Sequence, residues 1–352
     1  MMNVLYIYSG ERKKTYQGEI GKAYSDTSFY GLNHLAKEGI DATYKEFSDV
    51  PFSPYIKKIT GFRSRHACMY FLTRGYDVVF GASLLFMLPL AKLFRSKSKF
   101  VLLNTGIMRT LLMHRKSRMR TAVFSRLLSW CDGIVCLAQF QKKALEKAFP
   151  QLSGKVFFVP LGVDVTYHMP VYDGRKEYIL SVGRDLGRDY GTVMRVASLL
   201  PHRQFHVVLS KRNLASITDI PANVSIFYDL SAKDLEEKYT EAALLLLLTH
   251  NDMHTDGSDC SGQTVLLDAM ATGLPVIVTH KQYLKDYVID RKEAYVVSPY
   301  NTEEIVRAIA DLDNIHIQTS MAENARLRVV KDFSTKRMGT QLADVFKIVY
   351  TR

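Results

Sequence analysis

Between Ser258 and Val278 the chain reads Ser-Asp-Cys-Ser-Gly-Gln-Thr-Val-Leu-Leu-Asp-Ala-Met-Ala-Thr-Gly-Leu-Pro-Val-Ile-Val. A polar turn containing Gly262 runs into an apolar helical stretch, which Gly273 ends and a Pro-led strand follows. Such a helix start offers free backbone N–H groups from Gly262 to Val265 and the positive end of the helix dipole, with the Ser261 and Thr264 hydroxyls beside them. That combination binds anions. Asp268 lies about one turn further in, where a carboxylate can accept both hydroxyls of a diol such as a ribose. A second stretch, Ile179-Leu180-Ser181-Val182-Gly183-Arg184-Asp185-Leu186-Gly187-Arg188, is a strand that ends in Gly-Arg, with another arginine four residues on. Two guanidiniums at the carboxyl end of a strand can hold a diphosphate bidentately, where open α/β sheets place their ligands.

The elements that must position these residues follow from hydrophobic patterning. Short β-branched runs alternate with helical stretches: Val4–Tyr8, Asp77–Phe80, Phe100–Leu103, Gly133–Cys136 and Val156–Pro160 read as strands. Between them Tyr30–Lys37, Leu84–Phe94 and Gln139–Ala148 read as helices. A second series places strands at Tyr178–Val182, Phe205–Leu209, Val224–Tyr228, Ala243–Leu248, Pro275–Val278 and Ala294–Val297. This alternation predicts βαβ units and parallel sheets, an α/β fold of two Rossmann-like domains. The polar segment near 165–175 separates them, giving a domain over 1–165, a second over 166–335, and a final helix over 336–352 that packs back on the first.

A length of 352 residues, 47% hydrophobic and 23% charged, describes a globular chain of two domains. The longest nearly uncharged apolar stretch, Val78 to Ala91, is too short for a membrane span and contains Pro89. Met1 leads straight into a strand-like run, so the expectation is a cytoplasmic protein. Cys68, Cys131, Cys136 and Cys260 make no zinc spacing and no disulfide framework, and no metal is expected. The net charge of +12 is uneven, because residues 1–165 hold 25 Lys and Arg against 11 Asp and Glu. Its densest part runs from Lys92 to Lys147, and Arg115, Lys116, Arg118 and Arg120 lead into a helix over Thr121–Trp130. On that helix Arg120 falls inside the apolar arc of Val123, Leu127 and Trp130. A solvated basic face and an anionic membrane surface both fit; nucleic acid does not, since no zinc-finger, RNP or helix-turn-helix pattern is present.

The Val-Gly-Arg at 182–184, the Gly-Gln-Thr-Val-Leu-Leu-Asp-Ala-Met-Ala-Thr-Gly-Leu-Pro-Val-Ile run from Gly262, the junction Val159-Pro160-Leu161-Gly162-Val163-Asp164 and the terminal Asp332-Phe333-Ser334 together resemble the GT-B-fold glycosyltransferases. The match is to the retaining glycosyltransferase family 4 (group 1), and it covers roughly residues 133–350. The resemblance implies a nucleotide-sugar donor, UDP- or GDP-linked, held by the second domain. It also implies a saccharide or lipid-linked saccharide acceptor on the first, metal-independent transfer of a hexosyl type, and no cofactor. Arg184 and Arg188 would stabilise the leaving diphosphate, although the family usually has a lysine one position beyond Arg188. Asp268 matches the second acid of the family's Glu-x7-Glu motif and would bind the ribose, with Gly262, Gln263 and Thr264 at the phosphates and sugar and Ser261 in the same turn. The first acid falls on Cys260, so Asp259 or Gln263 takes the sugar contact or the sugar differs, and Asp259 is a candidate base. Leu230 would flank the base of the nucleotide through its backbone. In the first domain the family's glycine loop corresponds to Gly10, with Gln17-Gly18-Glu19 beyond it, and the family's sugar-contacting histidine is replaced by Asn104. The implied role is cell-envelope polysaccharide or glycolipid synthesis on the inner face of the membrane. Two readings stay open: a working transferase, and a degenerate GT-B protein that binds a nucleotide sugar or an anionic surface without turnover, motivated by Cys260 and Asn104.

Overall fold

The computed structural model describes residues 1–10, 12–13, 24–51, 53, 55, 61–114, 117–170 and 178–352. Arg115, Lys116, the Gln17-Gly18-Glu19 segment and positions 171–175 of the predicted linker lie outside these residues. The chain forms two compact units, passing from the first to the second between Pro160 and Leu161 and returning between Ser334 and Thr335. The short segment ending at Thr27 belongs with the second unit.

The first unit contains a six-stranded sheet in the order β2-β1-β3-β4-β5-β6, all pairs parallel. Its strands are β1 (Met2–Tyr8), β2 (Ile40–Glu46), β3 (Val78–Gly81), β4 (Lys99–Asn104), β5 (Gly133–Cys136) and β6 (Val156–Phe158). Strands β3 and β5 are buried along their whole length, the signature of a sheet covered on both faces. The helices α1 (Ile107–His114), α2 (Arg118–Ser129) and α3 (Gln139–Ala148) follow β4 and β5. Three features depart from the sequence reading. Strand β2 was not anticipated, because Ile-Asp-Ala-Thr-Tyr-Lys-Glu is a charged edge strand with mixed exposure. The Tyr30–Lys37 helix is a 3-10 segment over Leu32–Glu38. The Leu84–Phe94 helix splits into a 3-10 turn and Leu88–Leu93, with Pro89 in the first turn, where a missing N–H costs nothing.

The second sheet has the order β12-β11-β10-β7-β8-β9, also parallel. Its strands are β7 (Tyr178–Gly183), β8 (Gln204–Leu209), β9 (Val224–Phe227), β10 (Leu244–Leu247), β11 (Val276–Thr279) and β12 (Tyr295–Val297). The helices used below are α4 (Tyr190–Leu199), α5 (Ala232–Glu241), α6 (Gln263–Ala271) and α7 (Ile315–Asp332). Strand order reverses between β7 and β10, so the loops leaving these two strands part at their carboxyl ends and open the crevice in which such sheets bind ligands.

The last helix, α8 (Thr335–Tyr350), belongs to the first unit. Met338, Leu342, Val345, Phe346 and Val349 are buried on it, and Phe346 meets the rings of Tyr6 and Phe80 at 6.2 and 5.5 Å between centroids. Thr340 donates to Glu38 Oε1 at 2.7 Å, fixing the helix to the 3-10 segment. Among the described residues no helix is long and apolar enough to cross a membrane.

Candidate functional site

The carboxyl ends of β7 and β10 carry most of the residues singled out from the sequence. Strand β7 is fully buried and ends at Gly183; the loop of 184–189 then turns into α4, whose first turn Asp189 caps by accepting from Thr192 N at 3.0 Å and Thr192 Oγ1 at 2.5 Å. The loop is stitched to the strand beside it: Asp189 N donates to Leu248 O at 3.1 Å and His250 N to Gly187 O at 2.9 Å. Asp185 fastens it to the turn before α6. Its Oδ1 accepts from Gly187 N at 2.7 Å and Ser261 Oγ at 2.8 Å, and its Oδ2 accepts from Ser258 N at 2.9 Å.

This lacing places Arg188 in the interior, only 6% exposed. Its Nε and Nη1 are buried and meet no hydrogen-bond acceptor among the described residues. A buried donor left unpaired costs about 1–3 kcal/mol, more when charged, so the arrangement is one that an incoming anion relieves. Two glycines make room for it. A Cβ on Gly183 would overlap the guanidinium, and one on Gly262 would stand 3.0 Å from Nη1. Gly262 has a φ of 95°, in the left-handed region, and is the N-cap of α6, so the start of that helix lies against the same cation. One of the predicted free N–H groups is spent, since Gln263 N donates to Cys260 O at 3.1 Å. The other end of α6 closes as foreseen around Gly273, with Leu274 N donating to Ala269 O at 2.9 Å and Gly273 N to Met270 O at 3.2 Å.

Two tyrosines line this corner as neutral donors. Tyr190 OH donates to Gly183 O at 2.7 Å, and burial pushes its phenol up to about 12 against the opposing pull of Arg188. Tyr283 OH donates to Ser261 O at 3.1 Å, and burial raises its phenol as well.

The remaining residues are distributed unevenly. Ser261, Gln263 and Cys260 are buried in the turn and first residue of α6, Asp259 is half-buried beside them, and Thr264 is exposed. Arg184 does not join Arg188 as a clamp: its side chain is 70% exposed and stands 3.9 Å from Asp229, next to Leu230 in the loop after β9. Asp268 faces a partner that sequence reasoning missed. His168 is buried with Nε2 3.3 Å from Asp268 Oδ1 and Nδ1 2.7 Å from Glu236 Oε2 on α5. Burial works against its charging, but Asp268 and then Glu236 reverse this and raise the imidazole to about 10. Arg326 on α7 holds the same segment, donating to His168 O and Ala271 O at 2.7 Å and to Val165 O at 2.9 Å. The only local hint was a histidine one turn beyond Asp164, itself the centre of a tight turn that accepts from Thr166 N, Thr166 Oγ1 and Tyr167 N. Lys281 was missed too; it is buried, pairs with Asp252 at 3.0 Å and donates to His250 O at 3.2 Å.

Gly10 and Asn104 lie in the first unit. Gly10 is an exposed bend after β1. Asn104 is 1% exposed and both ends of its amide are engaged, Oδ1 accepting from Ile107 N at 2.9 Å and Nδ2 donating to Cys136 Sγ at 3.5 Å. It therefore starts α1 and is held by both ends of its amide. Arg118 and Arg120 are exposed in the first turn of α2, which begins at the N-cap Ser117 rather than at Thr121. Among the described residues no three His, Cys, Asp or Glu side chains converge as a metal site requires.

A family profile described as "Glycosyl transferases group 1" matches residues 173–328. The fold is similar to that of Anabaena HepE in complex with UDP-glucose, at a TM-score of 0.72 and 13% identity over 99% of this chain and 100% of that one. It is also similar to a glycosyltransferase from Rickettsia africae, with TM-score 0.67, 14% identity, and 99% and 98% covered. Sucrose-phosphate synthase from Thermosynechococcus elongatus matches at a TM-score of 0.68 and 15% identity over the whole of both chains. No curated protein matches the sequence. At these identities the likeness is one of fold, and the two parallel six-stranded sheets are those of GT-B.

Proposed function

We propose, from the premise that residues 173–328 belong to the glycosyl transferases group 1 family, that this protein transfers a hexosyl group from a UDP- or GDP-sugar to a saccharide or lipid-linked saccharide, with retention of configuration and without a metal. The observation that carries the proposal is Arg188, a buried cation against the N-terminus of α6 whose Nε and Nη1 meet no acceptor among the described residues. Breaking the glycosidic bond leaves charge on the donor's diphosphate, and donors fixed in advance at that position stabilise it most. In this reading Arg188 Nε–H and Nη1–H and the start of α6 take the phosphate oxygens, while Asp268 receives the ribose hydroxyls through the oxygen that does not face His168. The leaving phosphate accepts the proton of the attacking hydroxyl, so no side chain need act as nucleophile; Asp259 is the candidate base. HepE holds UDP-glucose, which supports a nucleotide-sugar donor for the same fold here. A role in envelope polysaccharide or glycolipid assembly at the inner face of the membrane completes the proposal.

Cys260 favours a second reading. Where the family has an acid at the donor sugar, this chain has a buried thiol, which cannot hold a sugar hydroxyl as a carboxylate does. A degenerate protein that binds the nucleotide sugar without turnover would look the same in the phosphate corner. The test is a panel of nucleotide sugars, read both as thermal shift and as free nucleotide released, with Arg188→Ala alongside. Release with one donor, lost in the variant, is the expected result. A thermal shift with no release, even with membrane extract as acceptor, would establish the binding protein instead.

A further inference from the structure

Asp268 does not stand alone at the ribose position proposed above. The imidazole of His168 is 7% exposed and lies between two carboxylates that are 15% and 19% exposed, Asp268 at 3.3 Å from Nε2 and Glu236 at 2.7 Å from Nδ1. The residue is fixed through its backbone: His168 N donates to Asp164 O at 3.1 Å, and Arg326 Nη1 donates to His168 O at 2.7 Å. The same Nη1 donates to the carbonyl of Ala271, the last residue of α6, so the histidine is fastened to the helix that carries Asp268. Tyr167 and Tyr239 stand edge-on to the ring, at 5.0 and 6.5 Å between centroids.

Two carboxylates on one imidazole oppose each other. Without a cation between them one is driven to take up a proton, and a protonated acid offers one acceptor fewer. Asp268 Oδ1 is moreover enclosed, where a carboxylate is costly unless a charge faces it. His168 answers both demands, because an imidazolium donates from both ring nitrogens and each nitrogen meets one acid. The second oxygen of Asp268 is left to accept from hydroxyls. The placement also fits a nucleotide. Helix α5, which carries Glu236, follows the loop of Leu230, where the base is expected, and α6 begins at the phosphate corner. A ribose links base to diphosphate, as His168 links these two helices.

We propose that His168 is a positioning residue of the donor site: held between Glu236 and Asp268, it sets Asp268 to grip the ribose diol and gives the site its preference for ribonucleotides, without touching the nucleotide itself. That a nucleotide occupies the site rests on the donor reading under the proposed function; the part His168 plays there is read separately from it.

The test is calorimetric titration of the full-length protein with UDP and GDP, with their 2′,3′-dideoxy forms, and with inorganic pyrophosphate, which suits the Arg188 corner and has no ribose. Wild type should prefer the ribose form of one nucleotide by about a hundredfold, the order for charge-assisted hydrogen bonds to a partly enclosed carboxylate. His168→Phe keeps the bulk of the ring and removes both N–H groups. It should reduce that preference by about tenfold or more and leave pyrophosphate affinity unchanged. Glu236→Gln, at a more exposed position, leaves the imidazole on Asp268 and should reduce the preference by about threefold. It also keeps the test open if circular dichroism shows that His168→Phe does not fold. A ribose preference unchanged in the folded variants overturns the proposal. So does a pyrophosphate affinity that falls by the same factor, which makes His168 a support of the whole site. Both of these outcomes leave the donor reading standing. Wild type that binds neither nucleotide nor pyrophosphate removes the donor reading, and the role of His168 with it.

Discussion

The two sheets share an architecture and differ at their carboxyl ends. In the second unit the loops after β7 and β10 are laced together by Asp185 and enclose Arg188, whose Nε and Nη1 meet no acceptor among the described residues. In the first, β3 and β4 end at an open, largely apolar cavity with Arg120 in its lining. A parallel sheet supplies the place, and the loops decide its character: a closed polar corner in the second unit, an apolar slot in the first.

The comparison is broken most directly at Arg188. Arg188→Ala should lower kcat/KM for nucleotide release by about 10²–10³, the range for removing one preorganised donor to a developing anion. It should leave the melting temperature unchanged or raised, because two buried N–H donors that meet no acceptor among the described residues are removed with it. A variant that melts lower and keeps its activity would show Arg188 to be structural.

The next effect is at His168, which holds Asp268 from behind. His168→Gln leaves Asp268 and Glu236 without their shared cation, a loss of roughly 3 kcal/mol given that both carboxylates are partly exposed. The sign with pH follows from the raised imidazole. Its contribution is at full value below the unfolded value of 6.5 and is lost as pH rises to about 10, so wild type and variant should converge in urea unfolding between those limits. A stability difference that stays flat across that window rules the ion triad out.

What was readable in the sequence, and what was not, follows the same division. The strands were readable because β7 and β10 are buried on both faces, β10 as a run of leucines and β7 as an apolar run broken only by Ser181; β2, an edge strand with Asp41, Lys45 and Glu46, has no such run. Arg188 and Gly262 were singled out because their types and order carry the chemistry, and the fold brings them together. Asp185 and His168 were not, since their meaning lies in partners 73 and 68 residues away, Ser258 and Glu236, which no local spacing announces. Asn104 shows a mixed case. Its position in the family pattern suggested a sugar contact, and the structure adds a local role that the pattern did not announce, an amide oxygen that begins a helix.

Asp185 therefore sharpens the comparison at its cause. Asp185→Ala removes the acceptor of three hydrogen bonds, one within its own loop and two that join it to the turn before α6, at a cost of about 1–3 kcal/mol in urea unfolding. It should also lower nucleotide release, because Arg188 is no longer held against Gly262. Asp185→Asn keeps one acceptor oxygen and should recover part of both. Stability lost without activity would separate the lacing from the site.

Arg184 should have the smallest effect, and it tests whether burial, rather than charge alone, makes the phosphate corner. It carries the same charge as Arg188 and lies four residues away, but its side chain is 70% exposed and faces Asp229 at 3.9 Å in water. A pair of that kind contributes little, so Arg184→Ala should leave unfolding unchanged and lower nucleotide release less than about tenfold. The remaining loss should shrink further as salt is raised, since an exposed charge is screened over about 8–10 Å and an enclosed one is not. If Arg184→Ala costs as much as Arg188→Ala, both guanidiniums close on the diphosphate in the working enzyme, and the loop of 184–189 must move to bring them together.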